Sequence, residues 1–106
     1  MNIGLTLKKL LEDSGQRQAA VAEKIGYAPA NMSRALTKGY NLTMAAAFKI
    51  ADGIGLDVLL LDSDGNRRQD VNIEQFLDAV SKTRMQWNDA EALLASLGYF
   101  IEFDWR

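Results

Sequence analysis

The sequence predicts a mainly α-helical fold, with four to five short helices followed by an α+β extension of further helices and two short strands. Three observations predict it. Apolar residues recur at i, i+3 and i+4 through most of the chain, glycines stand just beyond several of these runs, and two stretches of strand length, 56–61 and 99–105, each follow such a glycine.

From Leu5 to Glu12, Leu7, Leu10 and Leu11 mark one face of a first helix that Gly15 ends. A second helix runs from about Gln18 to Ile25, with Val21, Ala22 and Ile25 inward, and stops at Gly26, where a left-handed backbone costs no Cβ clash. The third opens at Pro29, preset for a first helical turn, and reaches about Thr37 before Lys38 and Gly39 break it. Thr43 caps a fourth, whose inward stripe is Met44, Ala47, Phe48, Ala51 and Ile54, closed by Gly55.

The apolar run Leu56 to Leu61 is a strand ending in DSDGN, where Asp64 and Gly65 signal a turn. DSDGN also resembles the start of a calcium loop, but the twelfth position, which needs a bidentate Glu, holds Ile73. Between Asp70 and Arg84, the spacing of Ile73, Phe76, Leu77 and Val80 gives a fifth helix with one apolar face. Asn88 and Glu91 have capping-box spacing, which opens a sixth over Ala92, Leu93, Leu94 and Leu97 up to Gly98. The final stretch alternates: Tyr99, Ile101, Phe103 and Trp105 share one face, and Phe100, Glu102 and Asp104 the other. The two strands would pair with each other or with a second subunit.

Composition narrows the function. The 106 residues include no Cys and no His, which removes disulfides, thiolate metal sites, the commonest metal ligand and the commonest general base. No nucleophile–base pair or phosphate-cradling glycine loop is visible, so neither an enzyme nor a bound cofactor is expected. Lys8, Lys9, Glu12 and Asp13 interrupt the N-terminal stretch, and no window approaches the roughly 20 apolar residues of a membrane span, so the expectation is a cytoplasmic chain with no membrane contact.

The formal charge of −2 conceals an asymmetry. Residues 1–50 hold seven cations and three anions, a net +4, and residues 51–106 hold five and eleven, a net −6. A basic half joined to an acidic one points to phosphate on one side and something else on the other.

Within RQAAVAEKIGYAPANMSRALTKG, Arg17 to Gly39, small and apolar residues stand where two short helices would cross closely: Ala22 beneath the second, Gly26 in the turn, and Val21, Ile25, Tyr27, Met32 and Ala35 or Leu36 in their shared core. This block resembles the Cro-repressor-like (Xre-type) helix-turn-helix family. Gln18, Ala22, Gly26, Met32 and Ser33 match, as does KIADGIGLDVLL, Lys49 to Leu60, and the resemblance covers just over half the chain. It departs at Arg17 and Ala28, where the family usually has a Ser or Thr cap.

The resemblance implies a lambda-repressor-like helix-turn-helix domain over residues 1–56, a recognition helix lying in the major groove and a preceding helix crossing the backbone. Residues 57–106 then form an acidic dimerisation or interaction region. Carried onto this chain, the base-edge candidates are Ala30, Asn31 and Arg34, and the phosphate candidates are Arg17, Gln18, Lys38, Tyr40 and Asn41. Leu59, Leu61, Tyr99, Ile101, Phe103 and Trp105 are the candidate dimer contacts. The expected function is a dimeric repressor of phage or mobile-element type on double-stranded DNA. The alternative is a protein-interaction module, an antitoxin or an inhibitor of a host defence protein, that binds its partner through the acidic half.

Overall fold

The computed structural model describes residues 1–37 and 41–106. Among them, six helices and two strands follow in the order α1 (Ile3–Ser14), α2 (Gln18–Ile25), α3 (Pro29–Ala35), α4 (Met44–Ile54), β1 (Leu56–Leu61), α5 (Ile73–Ser81), α6 (Trp87–Ser96) and β2 (Phe100–Trp105). The chain is mainly helical with a short sheet, and no helix among the described residues is long and apolar enough to cross a membrane.

α4 is the hub. Its sequence, MAAAFKIADGI, is apolar around most of its circumference, and Met44, Ala47, Phe48, Ile50, Ala51, Gly53 and Ile54 are all buried. Helices α1, α2, α5 and α6 and strand β1 pack against it. One core cluster runs from Ile3, Leu7 and Leu11 through α2, α3 and α4 to Leu56, Leu60, Trp87, Ala90 and Ile101, so residues on both sides of position 56 share it. Gly53 permits the closest approach: a Cβ there would lie 2.5 Å from Ile25 Cγ2, so α2 sits directly against α4.

The strands pair with each other in antiparallel register, Leu56 opposite Trp105 through Leu61 opposite Phe100. Leu56, Val58, Leu60, Ile101 and Phe103 therefore share the core-facing side of the ribbon, and Asp57, Leu59, Leu61, Phe100, Glu102 and Asp104 the other. The DSDGN segment is a turn in which Asp62 Oδ1 accepts from the Asp64 and Asn66 amides.

Several boundaries differ from the sequence expectation. α1 starts two residues earlier, at Ile3, because Asn2 accepts from the Leu5 amide as its cap and Ile3 and Gly4 pack inward. α5 is shorter than the stretch 70–84, since Asn72 caps it at one end and Lys82 ends it at the other. The capping box at Asn88 does not form. α6 begins at Trp87, with Gln86 at its N-cap and no side-chain cap bond. Burying Trp87 decides this start: the indole is wholly enclosed, and its amide donates to the Leu42 carbonyl at 2.6 Å. The inward face of α6 is consequently Trp87 and Ala90 with Leu94 half-buried, while Ala92, Leu93 and Leu97 face solvent.

Candidate nucleic-acid interface

The unit Arg17 to Thr37 is built by two helix ends. Arg17 and Ala28 precede α2 and α3 in extended conformation without a side-chain cap bond, as their residue types lead one to expect. Between the helices, Gly26 at φ 75° lets the Tyr27 amide reach the Ala22 carbonyl at 2.8 Å, and its own amide bonds Glu23. This closes the end of α2 and sends the chain into Pro29 after two residues. Met32, Ala35 and Leu36 are buried against α2 and the core, with Tyr27 half-buried beside them.

With that face of α3 committed to the core, the other is left outside. Ala30, Asn31 and Arg34 are all exposed, along with Ser33. They occupy i, i+1 and i+4 on one side of the helix. Arg34 forms no salt bridge among the described residues.

Three of the five phosphate candidates fall on described residues. Arg17 is exposed at the start of α2, and Gln18 half-buried beside it. Asn41 is exposed after α3, and its Oδ1 accepts from the Asn88 amide at 3.4 Å, which leaves its Nδ2 as a donor. Lys38 and Tyr40 lie outside the described residues.

The charge asymmetry has a structural counterpart. Among the described residues, Lys8, Lys9, Arg17, Lys24, Arg34 and Lys49 form no salt bridge with an acidic group, whereas in the acidic half Arg68 pairs with Asp70, Lys82 with Asp78, and Arg106 with Asp52 and Asp57. Two of the six basic groups have other roles. Lys24 Nζ donates to the Gly53 carbonyl at 3.1 Å, and Lys49 sits 5.3 Å from the centre of the Tyr27 ring. Gln16, which sequence reasoning left unassigned, gives its amide to the Ile54 carbonyl at 2.7 Å, so Gln16 and Lys24 together close the C-terminus of α4. No sequence motif signals that pairing.

The six dimer candidates are not brought onto one face. Ile101 is buried in the chain's own core, and Phe103 stacks on Trp87. Tyr99 is half-buried and lies under the Arg68 guanidinium, 4.8 Å from ring centre to Cζ. Leu59 and Leu61 lie on the opposite side of the ribbon beside exposed Phe100, and Trp105 is exposed at its end. The alternation was correctly placed, but the core of the same chain takes most of the side that a partner was expected to cover.

Sequence reasoning also missed residues 85–88. Met85 O accepts from the Met44 amide at 2.9 Å, Trp87 N donates to Leu42 O, and Thr43 pairs with Gln86 as an antiparallel bridge. This short contact ties the start of α6 to the segment between α3 and α4. The apolar–polar–apolar triplet Met85-Gln86-Trp87 was its one local signal.

Among the described residues, no group of three or more acidic side chains converges to hold a metal ion. The chain matches no family model, no curated protein and no solved structure.

Proposed function

We propose that this chain is a sequence-specific regulator of transcription that binds double-stranded DNA, of the Cro-repressor-like helix-turn-helix kind, with α2 and α3 as its motif. It acts as a homodimeric repressor of phage or mobile-element type on an inverted repeat, two copies reading half-sites about 34 Å apart. One observation carries this reading: α3 presents Ala30, Asn31 and Arg34 outward from a buried row of Met32, Ala35 and Leu36, with the Arg34 charge unpaired among the described residues. Arg34 binds guanine O6 and N7, Asn31 an adenine edge or a phosphate, and Ala30 a thymine methyl. Arg17, Gln18 and Asn41 hold the backbone. The dimer contact is drawn from Leu59, Leu61 and Phe100, because the other side of the ribbon is used internally.

The test is selection from a random duplex pool, followed by Arg34→Ala on the enriched sequence. The substitution is expected to weaken binding by roughly 1 to 3 kcal/mol, to relax one base position and to leave thermal stability unchanged. A pool in which no sequence is enriched would reject the reading.

A second reading, the protein-interaction module, is favoured by the acidic half's exposed apolar side chains, with Leu93 57% and Leu97 69% accessible. In that case a partner co-purifies through residues 62–106 and stays bound after Arg34→Ala.

A further inference from the structure

The edge of β1 that faces away from β2 is only partly satisfied. The Arg106 amide donates to the Gly55 carbonyl at 3.1 Å, which makes Asp57–Asp104, Leu59–Glu102 and Leu61–Phe100 the hydrogen-bonded pairs of the ribbon. Leu56, Val58 and Leu60 therefore direct their main-chain groups to the other edge. There the Leu56 carbonyl accepts from the Arg106 guanidinium at 3.2 Å, and the Leu60 carbonyl from the Arg68 amide at 2.8 Å. Val58, between them, has no partner for its N–H or its C=O among the described residues. A cleft of about 390 Å³ opens at this point, bounded by β1, α4 and α5. Val58, Phe48, Ile73 and Leu77 give it apolar walls, and Arg67 and Glu74 bring one charge of each sign to it. The Arg67 backbone is fixed by its bridge to Leu61, and Glu74 stands in the first turn of α5, just beyond the Asn72 cap. Arg106, at the same cleft, is held by Asp52 and Asp57, whereas Arg67 and Glu74 form no ion pair with each other or with any other described residue.

We infer that this cleft binds a free α-amino acid with an apolar side chain. Its carboxylate pairs with Arg67 and accepts from the Val58 N–H, its ammonium meets Glu74 and donates to the Val58 carbonyl, and its side chain lies along Phe48, Ile73 and Leu77. An amino acid carries a donor and an acceptor at the spacing that a neighbouring strand residue would present to Val58, so one small molecule satisfies both free main-chain groups. Two opposite charges that share a cavity without neutralising each other favour a zwitterion over a ligand of either single charge. The volume lies near the lower end of the roughly 300 to 1,000 Å³ typical of small-ligand sites, which suits a molecule of this size. The inference goes beyond the proposed function and does not depend on it.

The experiment is a titration of the full chain with leucine, isoleucine and phenylalanine, followed by amide chemical shifts in NMR. At least one of the three should bind with a Kd of about 1 mM or tighter, and the Val58 amide proton should move downfield and exchange more slowly as it gains an acceptor. Isocaproate, which lacks the ammonium, isoamylamine, which lacks the carboxylate, and N-acetyl-leucinamide, which carries neither charge, should each bind about tenfold or more weakly than leucine. Arg67→Gln and Glu74→Gln should each weaken amino-acid binding by a similar factor of about ten. Both residues are exposed and unpaired, so neither substitution should move the melting temperature. The inference is overturned if none of the three amino acids shifts the amides of Val58, Arg67 and Glu74, or if both variants bind as the unaltered chain does. Equal binding of leucine and N-acetyl-leucinamide overturns it too, since an extended peptide would then be the occupant and the two charges would have no part.

Discussion

The Trp87 indole stacks on the Phe103 ring with centroids 5.8 Å apart and planes inclined by 24°, while Phe48 meets the same indole edge-on at 5.9 Å. Three elements, α6, β2 and α4, thus share one aromatic contact that joins residues from both halves of the chain. Trp87→Ala should lower unfolding free energy by roughly 3 to 5 kcal/mol in urea denaturation, the usual cost of emptying a large aromatic site. Trp87→Phe should cost distinctly less. The buried Nε1 of Trp87 has no hydrogen-bond partner among the described residues, so its removal forfeits no bond. Equal losses for the two variants would contradict this account.

The N-terminus of α1 packs closely against the end of α3. A Cβ on Gly4 would stand 2.9 Å from both the Ala35 and the Thr37 carbonyl oxygens, which are backbone atoms with little freedom to yield. Gly4→Ala should therefore destabilise the fold by about 1 to 3 kcal/mol through overpacking, despite Ala being the better helix former. A thermal melt at or above that of the unaltered chain would show the contact to be looser than described.

Phe100 and Leu59 test the proposed dimer. Phe100 is 45% accessible and lies on the outer side of the ribbon, so Phe100→Glu should change unfolding free energy by no more than about 0.5 kcal/mol. Light scattering at micromolar concentration should find two chains per particle for the unaltered protein and one for Phe100→Glu combined with Leu59→Glu. Two chains in both samples would remove the ribbon from the interface.

Asp70 should titrate unusually low for an exposed carboxylate. The side-chain bonds from Arg68, at 2.6 and 2.8 Å, favour its ionised form, with its own backbone amide and the guanidinium charge acting in the same direction. A carboxylate held below its unfolded value contributes stability above the unfolded pKa and loses it as pH falls through the folded one. The contribution is therefore complete at neutral pH and disappears only in acid. Carboxyl chemical shifts followed by NMR should place the Asp70 midpoint below the ordinary carboxylate range, and Arg68→Ala should return it to that range. A midpoint that ignores Arg68 would refute the pairing.

How much could be foreseen differs between the halves. In α2 and α3 the positions of Val21, Ala22, Gly26, Met32 and Arg34 were legible, because short helices ended by Gly or opened by Pro have their faces assigned by local spacing alone. In α6 the same logic misplaced the start and the buried face. Its leucines satisfy helical spacing, yet Leu93 and Leu97 are exposed, since the surface available to α6 on α4 and β2 is filled by Trp87, Ala90 and Leu94.

The chain of amino acids alone determined which segments become helix or strand and where positive and negative charge concentrate, for both are decided within a few residues of one another. Only the tertiary structure decided which side of the β1–β2 ribbon the core would claim, and that residues 85–88 would hold the segment after α3. Both depend on competition for a limited buried volume between groups more than 40 positions apart, such as Leu42 and Trp87. No local pattern records that outcome.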